Sequence, residues 1–320
     1  MISTSSPQPP TFKQRLTILF NSSLTGYLMV LIAGACWATS GIFITYISES
    51  SNVTAIALAF WRDITSFMVL FCGGLLFNPK KLRVRRADLP WLGGMGVSLG
   101  TFHVFWNLGV MLNGAAVTTV QQAAMPAIVV VVAWFIWQES LTWRKIMAVI
   151  LTFAGTVLVS GMVEMNGSNL STGGLLIGFG VPISYAGWSL FGKKLRTDYD
   201  VLVVLTYAFL FAWITLLPVQ LFTVQPFPVP PVTFLYFAGL IFIATMGGFV
   251  SYTFGLGRMP ASVASIVAMS EIAFVAMFAY VLLDEQMSLT QIIGTILVVG
   301  GVVIIFRRKR RKNNVLPPSP

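Results

Sequence analysis

Charge is scarce in this chain: of 320 residues only 9% are Asp, Glu, Lys or Arg, against roughly a quarter in an ordinary soluble domain. So few charges cannot build a polar shell, which excludes a soluble enzyme, and 56% hydrophobic side chains exclude a disordered chain. Histidine occurs once, as His103, and cysteine twice, as Cys36 and Cys72, both inside apolar runs. There is accordingly no disulfide framework and no metal-ligand spacing. A Gly-rich phosphate loop and clustered acidic loops are also missing, so no metal, nucleotide or other cofactor is implied. An ATP-driven pump on this chain alone is excluded.

What the sequence has is apolar length, with a mean hydropathy of +0.83. Apolar runs fall at 25–47, 54–77, 90–111, 115–137, 142–161, 172–192, 201–222, 232–256, 260–282 and 287–306. A helix of about 20 apolar residues crosses a bilayer, whereas a membrane strand needs only about ten with alternating polarity. The expected fold class is an all-α membrane protein with ten transmembrane helices.

The net charge of +10 matters less than where it lies. Apart from Arg62, every Lys and Arg falls in the N-terminal tail (Lys13, Arg15), an even-numbered loop or the C-terminal tail (Arg307 to Lys312). The even loops hold Lys80 to Arg86, Arg144 and Lys145, Lys193 to Arg196, and Arg258; the odd loops hold only the acids Glu49, Glu164, Asp284 and Glu285. The positive-inside bias then puts both termini in the cytoplasm, in a bacterial inner or plasma membrane. The basic tail follows an apolar span directly, so it reads as an anchor on anionic lipid and not as a nucleic-acid arm. Ala33 to Cys36 faintly matches a lipoprotein cleavage site, but the apolar run continues to Ile47, as a membrane helix would.

Sliding the chain against itself by 146 residues superposes Gly109 on Gly255, Ala115 on Ala261, Val117 on Val263, Ala133 on Ala279, Glu139 on Glu285 and Gly155 on Gly301. At a slightly different offset Trp37 meets Trp188. The chain thus divides into a tail (1–24), two five-helix repeats (25–161 and 172–306) and a basic tail (307–320). Five crossings are an odd number, so the second repeat enters the bilayer upside down. Two interlocked inverted copies offer two packings, each open to one side, with a site near the midplane.

The segments Trp37-Ala38-Thr39-Ser40 and Phe60-Trp61-Arg62, and Glu139-x-Leu141-Thr142 before Gly155 with its echo Glu285-x-Met287-Ser288 before Gly301, resemble the drug/metabolite transporter superfamily, in its ten-helix EamA type. Met287 departs from the more usual Leu. The resemblance covers about 25–306 and implies carriage of small metabolites such as amino acids, sugars, nucleosides, organic cations or drugs by proton coupling or exchange. It also implies that helices one, three, six and eight, with four and nine, surround the cavity.

An ionisable group inside the hydrocarbon needs a partner or a purpose. Glu271, halfway along the ninth run with no basic neighbour in its own turn, is the candidate proton-coupling and substrate-binding carboxylate. Arg62 and Asp63 are adjacent, so about 100° separates them on a helix and they do not face each other. Arg62 is read as a gating or packing residue. His103, Trp106 and Asn107 share a helix face and are candidates for substrate binding with Gln122. The aromatic candidates are Trp37, Tyr185, Trp188 and Tyr252, whose ring faces suit organic cations and planar rings. Trp61, Trp91, Trp137 and Trp143 read as interfacial belt residues, and Pro126, Pro182 and Pro218 as bends.

The leading expectation is a secondary active exporter of an amino acid or related compound, with substrate, membrane lipid and protons as partners and no nucleic acid. Uptake of an organic cation by an aromatic cage is the alternative. A membrane enzyme or scaffold is disfavoured, because the spans carry no nucleophile–base pair and the loops are short.

Overall fold

Inside a bilayer every backbone N–H and C=O must be satisfied within the protein, and continuous apolar runs achieve this as helices. The computed structural model describes residues 22–51, 53–77, 79–161, 172–222, 230–282 and 287–306, and among them there is no strand. Residues 1–21, the basic tail 307–320 and the acids Glu164, Asp284 and Glu285 lie outside the described residues. Eight helical runs are long and apolar enough to cross a membrane. Leu, Ile and Phe side chains are exposed over the flanks, among them Leu76, Phe77 and Phe222, as lipid solvation permits.

The helices are α1 Ser23–Ala38, α2 Ser40–Ser50, α3 Ala55–Phe77, α4 Leu89–Gln122, α5 Met125–Trp137, α6 Trp143–Val159, α7 Thr172–Gly178, α8 Gly180–Leu195, α9 Val201–Phe222, α10 Pro231–Gly239, α11 Gly248–Leu256, α12 Ala261–Ala268, α13 Ser270–Leu282 and α14 Leu289–Phe306; a π-helical stretch, Leu240–Gly247, joins α10 to α11. Several apolar runs are therefore broken once, at Thr39, at Ala123 and Ala124, at Phe179 and at Met269. At Thr39 the hydroxyl donates back to Cys36 O at 2.7 Å. The break after Gln122 follows from Pro126, which has no N–H for the Gln122 carbonyl and whose ring crowds it.

One boundary differs from the sequence expectation. The polar break at 112–114 is helical throughout, so α4 runs from Leu89 to Gln122. Yet a Cβ on Gly109 would stand 2.9 Å from the Thr118 side chain, whereas nine residues of straight helix rise about 13.5 Å. The chain thus doubles back within α4, and the second arm joins α5 in the span Val117–Trp137.

Two recurring sequence motifs are helix starts. Thr142 caps α6 by accepting from Lys145 N at 3.4 Å. Ser288 and Gln291 cap α14 reciprocally, Ser288 N donating to Gln291 Oε1 at 2.9 Å and Gln291 N to Ser288 Oγ at 3.3 Å, the pattern of a capping box.

In lipid, helices associate through close packing at small residues. Helix α6 packs along α14, where a Cβ on Gly155 would lie 2.6 Å from Gly294 O and one on Gly294 would lie 2.7 Å from Gly155 O. Helix α4 packs on α8 and α9, α3 on α9, and α1 on α11 and α13. The largest buried cluster includes Trp37, Tyr185, Trp188, Phe209, Phe249 and Tyr252.

The segments on the two sides of the bundle meet in separate groups. At one end, Lys81 pairs with Asp200 at 2.7 Å, and Arg85 with Asp88 and Asp198 at 2.7 and 2.6 Å. Lys193 Nζ donates to Leu256 O and Met259 O at 3.0 and 2.8 Å. We call this the basic end. At the other end, Thr233 Oγ1 donates to Ser50 Oγ at 2.8 Å. Tyr199 Oη and Arg85, hydrogen-bonded to Asp88, hold its carboxyl below the usual carboxylate range, and Lys81 does the same for Asp200. Their contributions are present at neutral pH and fade as pH falls through that lowered range. These pairs are exposed, so Lys81→Ala is expected to change unfolding free energy by less than about 1 kcal/mol, measured by denaturation in detergent.

Candidate functional site

A cavity of about 490 Å³ opens among α1, α2, α3, α4, α8, α11 and α13. Its inner part is lined by Trp37, Tyr185, Gln122 and Glu271, and its outer part by Thr45, Tyr46 and Glu49, which are exposed. Trp37 and Glu49 are twelve positions apart on nearly continuous helix, so the cavity reaches roughly 18 Å from rim to floor. It therefore faces the end opposite the basic one.

The inner wall is assembled from helix breaks. Glu271 occupies the first turn of α13, just past the turn at Met269, where the helix N-terminus favours an anion. Gln122 is the last residue of α4, before the Pro126 break. Gln122 Nε2 donates to Glu271 Oε2 at 3.3 Å. The two breaks stand 146 residues apart, Ala123 against Met269, matching the internal repeat. Gly34 makes room for this corner, since a Cβ there would lie 2.7 Å from Ser270 Oγ and 3.0 Å from Glu271 N.

Arg62 and Asp63 diverge, as their helical spacing requires. Arg62 lines the cavity, donates from Nε to Thr245 Oγ1 at 2.8 Å and lies 5.9 Å from the Phe249 ring centre. Thr245 is available because the π-helical turn lets its hydroxyl donate to Leu240 O, five residues back, at 2.7 Å. π-Turns inside α-helices recur at functional sites. Asp63, fully buried, turns the other way, with Oδ1 2.8 Å from His103 Nδ1.

His103, Trp106 and Asn107 all line the cavity, with Phe102 beside them. Asn107 Nδ2 is also held by Ala55 O at 2.8 Å. Trp37 meets Tyr185 edge-on at 5.9 Å and Phe249 at 5.4 Å between ring centres. The geometry thus gathers Trp37, His103, Trp106, Asn107, Gln122, Tyr185, Glu271 and Arg62 around one space.

Two aromatic candidates are elsewhere. Trp188 and Tyr252 are not in the lining; they are 1% and 0% exposed and stack on each other at 5.0 Å. The Tyr252 hydroxyl is hydrogen-bonded to Ser189 Oγ at 2.7 Å. They form a plug between the cavity and the basic end, because Trp37, packed on both, has already closed the floor above them. Gln121 points away from the cavity too, donating to Leu175 O at 2.9 Å. Glu49, Tyr46, Phe102, Phe249 and Phe278 line the cavity without having been singled out from sequence. Of these, the acid Glu49 ending an apolar run was the one visible signal.

Below the plug, Glu139 Oε1 accepts from Ala261 N at 2.9 Å, and Oε2 accepts from Lys145 Nζ at 3.3 Å and from the Ser262 hydroxyl. Arg196 donates to Thr253 O at 3.1 Å and to Tyr199 O. The basic end is thereby tied shut across helices distant in sequence. Among the described residues no group of three His, Cys, Asp or Glu could hold a metal ion.

A family profile described as the EamA-like transporter family matches residues 24–161 and 172–307. An uncharacterized inner membrane transporter of Salmonella typhimurium, YicL, is 27% identical over 283 residues, which cover 87% of this chain and 94% of that protein. An S-adenosylmethionine uptake transporter of Rickettsia prowazekii is 22% identical over 207 residues, 63% of this chain and 67% of that protein. A solved crystal structure shares the fold at a TM-score of 0.73 with 19% identity, covering 87% of this chain and 95% of that one. With the profile matched over both stretches, this multi-pass membrane protein belongs to the EamA-like transporter family.

Proposed function

We propose that the protein is a secondary active transporter that carries a small metabolite, such as an amino acid or related compound, through this cavity by alternating access, with Glu271 as the proton-coupling carboxylate. The observation that carries this reading is Glu271 itself. It is a carboxylate in the membrane interior, turned into a large aromatic-lined cavity, with one long hydrogen bond, from Gln122, among the described residues. A group so placed can exchange a proton or a cationic ligand with one side at a time.

Reciprocal packing supports two inverted five-helix repeats. Gly155 packs on Gly294 and Gly301 on Ala148, two contacts that exchange under the 146-residue offset. Likewise α1 packs on α11 while α8 packs on α4. The ten crossings comprise the eight long apolar runs plus 89–109 and Trp143–Val159. The positive-inside bias makes the basic end cytoplasmic, so this conformation faces outward. Export is the direction carried by the family resemblance. The Rickettsia relative is named for uptake, and the same alternation serves either direction.

Flux in proteoliposomes tests the reading. Wild-type flux should depend on the pH gradient and Glu271→Gln should remove that dependence; an unchanged dependence would discharge Glu271 from coupling. The rings of Trp37, Trp106 and Tyr185 around Glu271 favour a second reading, an organic cation held against aromatic faces. Thermal-shift screening against amino acids, nucleosides, sugars and amines separates the two, since ligand binding raises stability.

A further inference from the structure

Buried polar atoms without partners are rare in native structures and call for an explanation. A group of them lies where α3, α4 and α9 meet. His103 Nδ1 and Asp63 Oδ1 are 2.8 Å apart, yet neither makes a hydrogen bond of good geometry. Asp63 Oδ2 and His103 Nε2 have no hydrogen-bond partner among the described residues, and neither does Ser66 Oγ, one turn along α3. Asp63 and Ser66 are 0% exposed and His103 is 2% exposed. Asp63 is thus sealed from the bilayer, and His103 stands between it and the cavity, which it lines.

The charges around the pair are few. Helix α3 contributes Arg62 and Asp63, and α13 contributes Glu271 across the cavity; Arg62 is within electrostatic reach of both carboxylates. Helix α8 contributes the neutral Tyr185. The π-helical stretch contributes Thr245, bound to Arg62. From α9 the ionisable side chain is Tyr207, hydrogen-bonded to Leu82 O at the basic end. Glu49 is out at the rim. A net charge is expensive in a buried site. With Arg62 positive and Asp63 negative, neutrality requires one proton between Glu271 and His103: either Glu271 is protonated and the imidazole neutral, or Glu271 is ionised and the imidazole charged.

We propose that the Asp63–His103 pair is a second seat for the transport proton, alternative to Glu271, so that this buried cluster holds one exchangeable proton shared between two sites bordering the cavity. Asp63, 2.8 Å from the ring, stabilises the imidazolium by its opposite charge, and Arg62 links the two carboxylates. A monocationic ligand entering beside ionised Glu271 neutralises it and releases the proton from His103 to cavity water. The proposal rests on the reading of Glu271 as a titrating group.

The chain contains one histidine, so a ¹⁵N-histidine NMR spectrum of the full-length protein in lipid nanodiscs reports on His103 alone. The wild type should show a pH-dependent imidazolium population between pH 5 and 8. In Glu271→Gln, where position 271 is fixed neutral, the imidazolium population at pH 6 should fall at least about threefold, because the two sites titrate as a coupled pair. A histidine that stays neutral across the range in the wild type, or an equal population in both proteins, overturns the proposal. A changed population with unaltered flux pH dependence keeps the second seat and discards Glu271 as the coupling group. Altered flux with an unchanged population does the reverse.

Discussion

Replacing Gly155 by leucine is expected to leave little folded protein, with a loss of about 3 kcal/mol or more. A Cβ at this position would come within 2.6 Å of Gly294 O and 2.8 Å of both Val298 N and Val298 Cγ2. Two of those three atoms are backbone, so no side-chain rotation relieves the clash and α6 must move off α14 along its length. Water gives no hydrophobic drive to this helix pair in lipid, which leaves van der Waals contact as the main attraction and makes separation costly. Gly155→Ala, which keeps the clash but adds no further atoms, should fall between. Gly73→Ala is the control: a Cβ there meets nothing within 4 Å, and better helix propensity should stabilise it by up to about 1 kcal/mol. Thermal unfolding followed by tryptophan fluorescence and size-exclusion profile reads all three. Wild-type stability in Gly155→Leu would mean that α6 and α14 do not pack as described.

What could be read from the chain alone was whatever the bilayer imposes locally. Apolar length marked where helices cross, and the confinement of Lys and Arg to even loops anticipated which segments share a side: Lys81 does meet Asp200, and Lys193 does meet Met259. Glu271 stood out because a carboxylate in hydrocarbon has no local excuse, and the shared face of His103, Trp106 and Asn107 follows from helical spacing. The break at 112–114 was legible as a change of chain direction, because the apolar run pauses there, but not as the helical backbone that continues through it. Trp188 and Tyr252 were grouped with the cavity aromatics because composition gives a ring's character but not its depth, and one helical turn separates lining from plug. Arg62 could not be assigned its acceptor either. Thr245 is 183 residues away and presents its hydroxyl only through a π-turn that no spacing rule announces. The same holds for Glu139, recognisable as a repeated motif residue, whose partners Ala261 and Ser262 lie 122 and 123 residues away.

Those partners make Glu139→Ala the second large effect. The carboxylate, just past the C-terminal end of α5, receives the Ala261 N–H, the Ser262 hydroxyl and the Lys145 ammonium. It therefore caps α12, whose first backbone donors have no intrahelical acceptors, and neutralises Lys145, whose side chain is 9% exposed. Removing one member of a buried, hydrogen-bonded charge pair leaves the other uncompensated and costs about 3 kcal/mol. The part of that cost that comes from Ala261 and Ser262 is borne only by a conformation in which Glu139 meets α12, as it does here at the basic end. Glu139→Ala should thus shift the molecule toward opening there instead of merely loosening it. In a background with Cys36 and Cys72 replaced, a thiol introduced by Ser265→Cys, at a fully buried position of α12, should react several-fold faster with a membrane-impermeant maleimide from the basic side in Glu139→Ala than with Glu139 present. Glu139→Gln should lie between, since the amide oxygen still accepts from Ala261 N but leaves Lys145 without a counter-charge. A general loosening would raise labelling from both sides alike, and an unchanged rate would show that the plug of Trp188 and Tyr252, with Lys193 on the Leu256 and Met259 carbonyls, closes that end without help from Glu139.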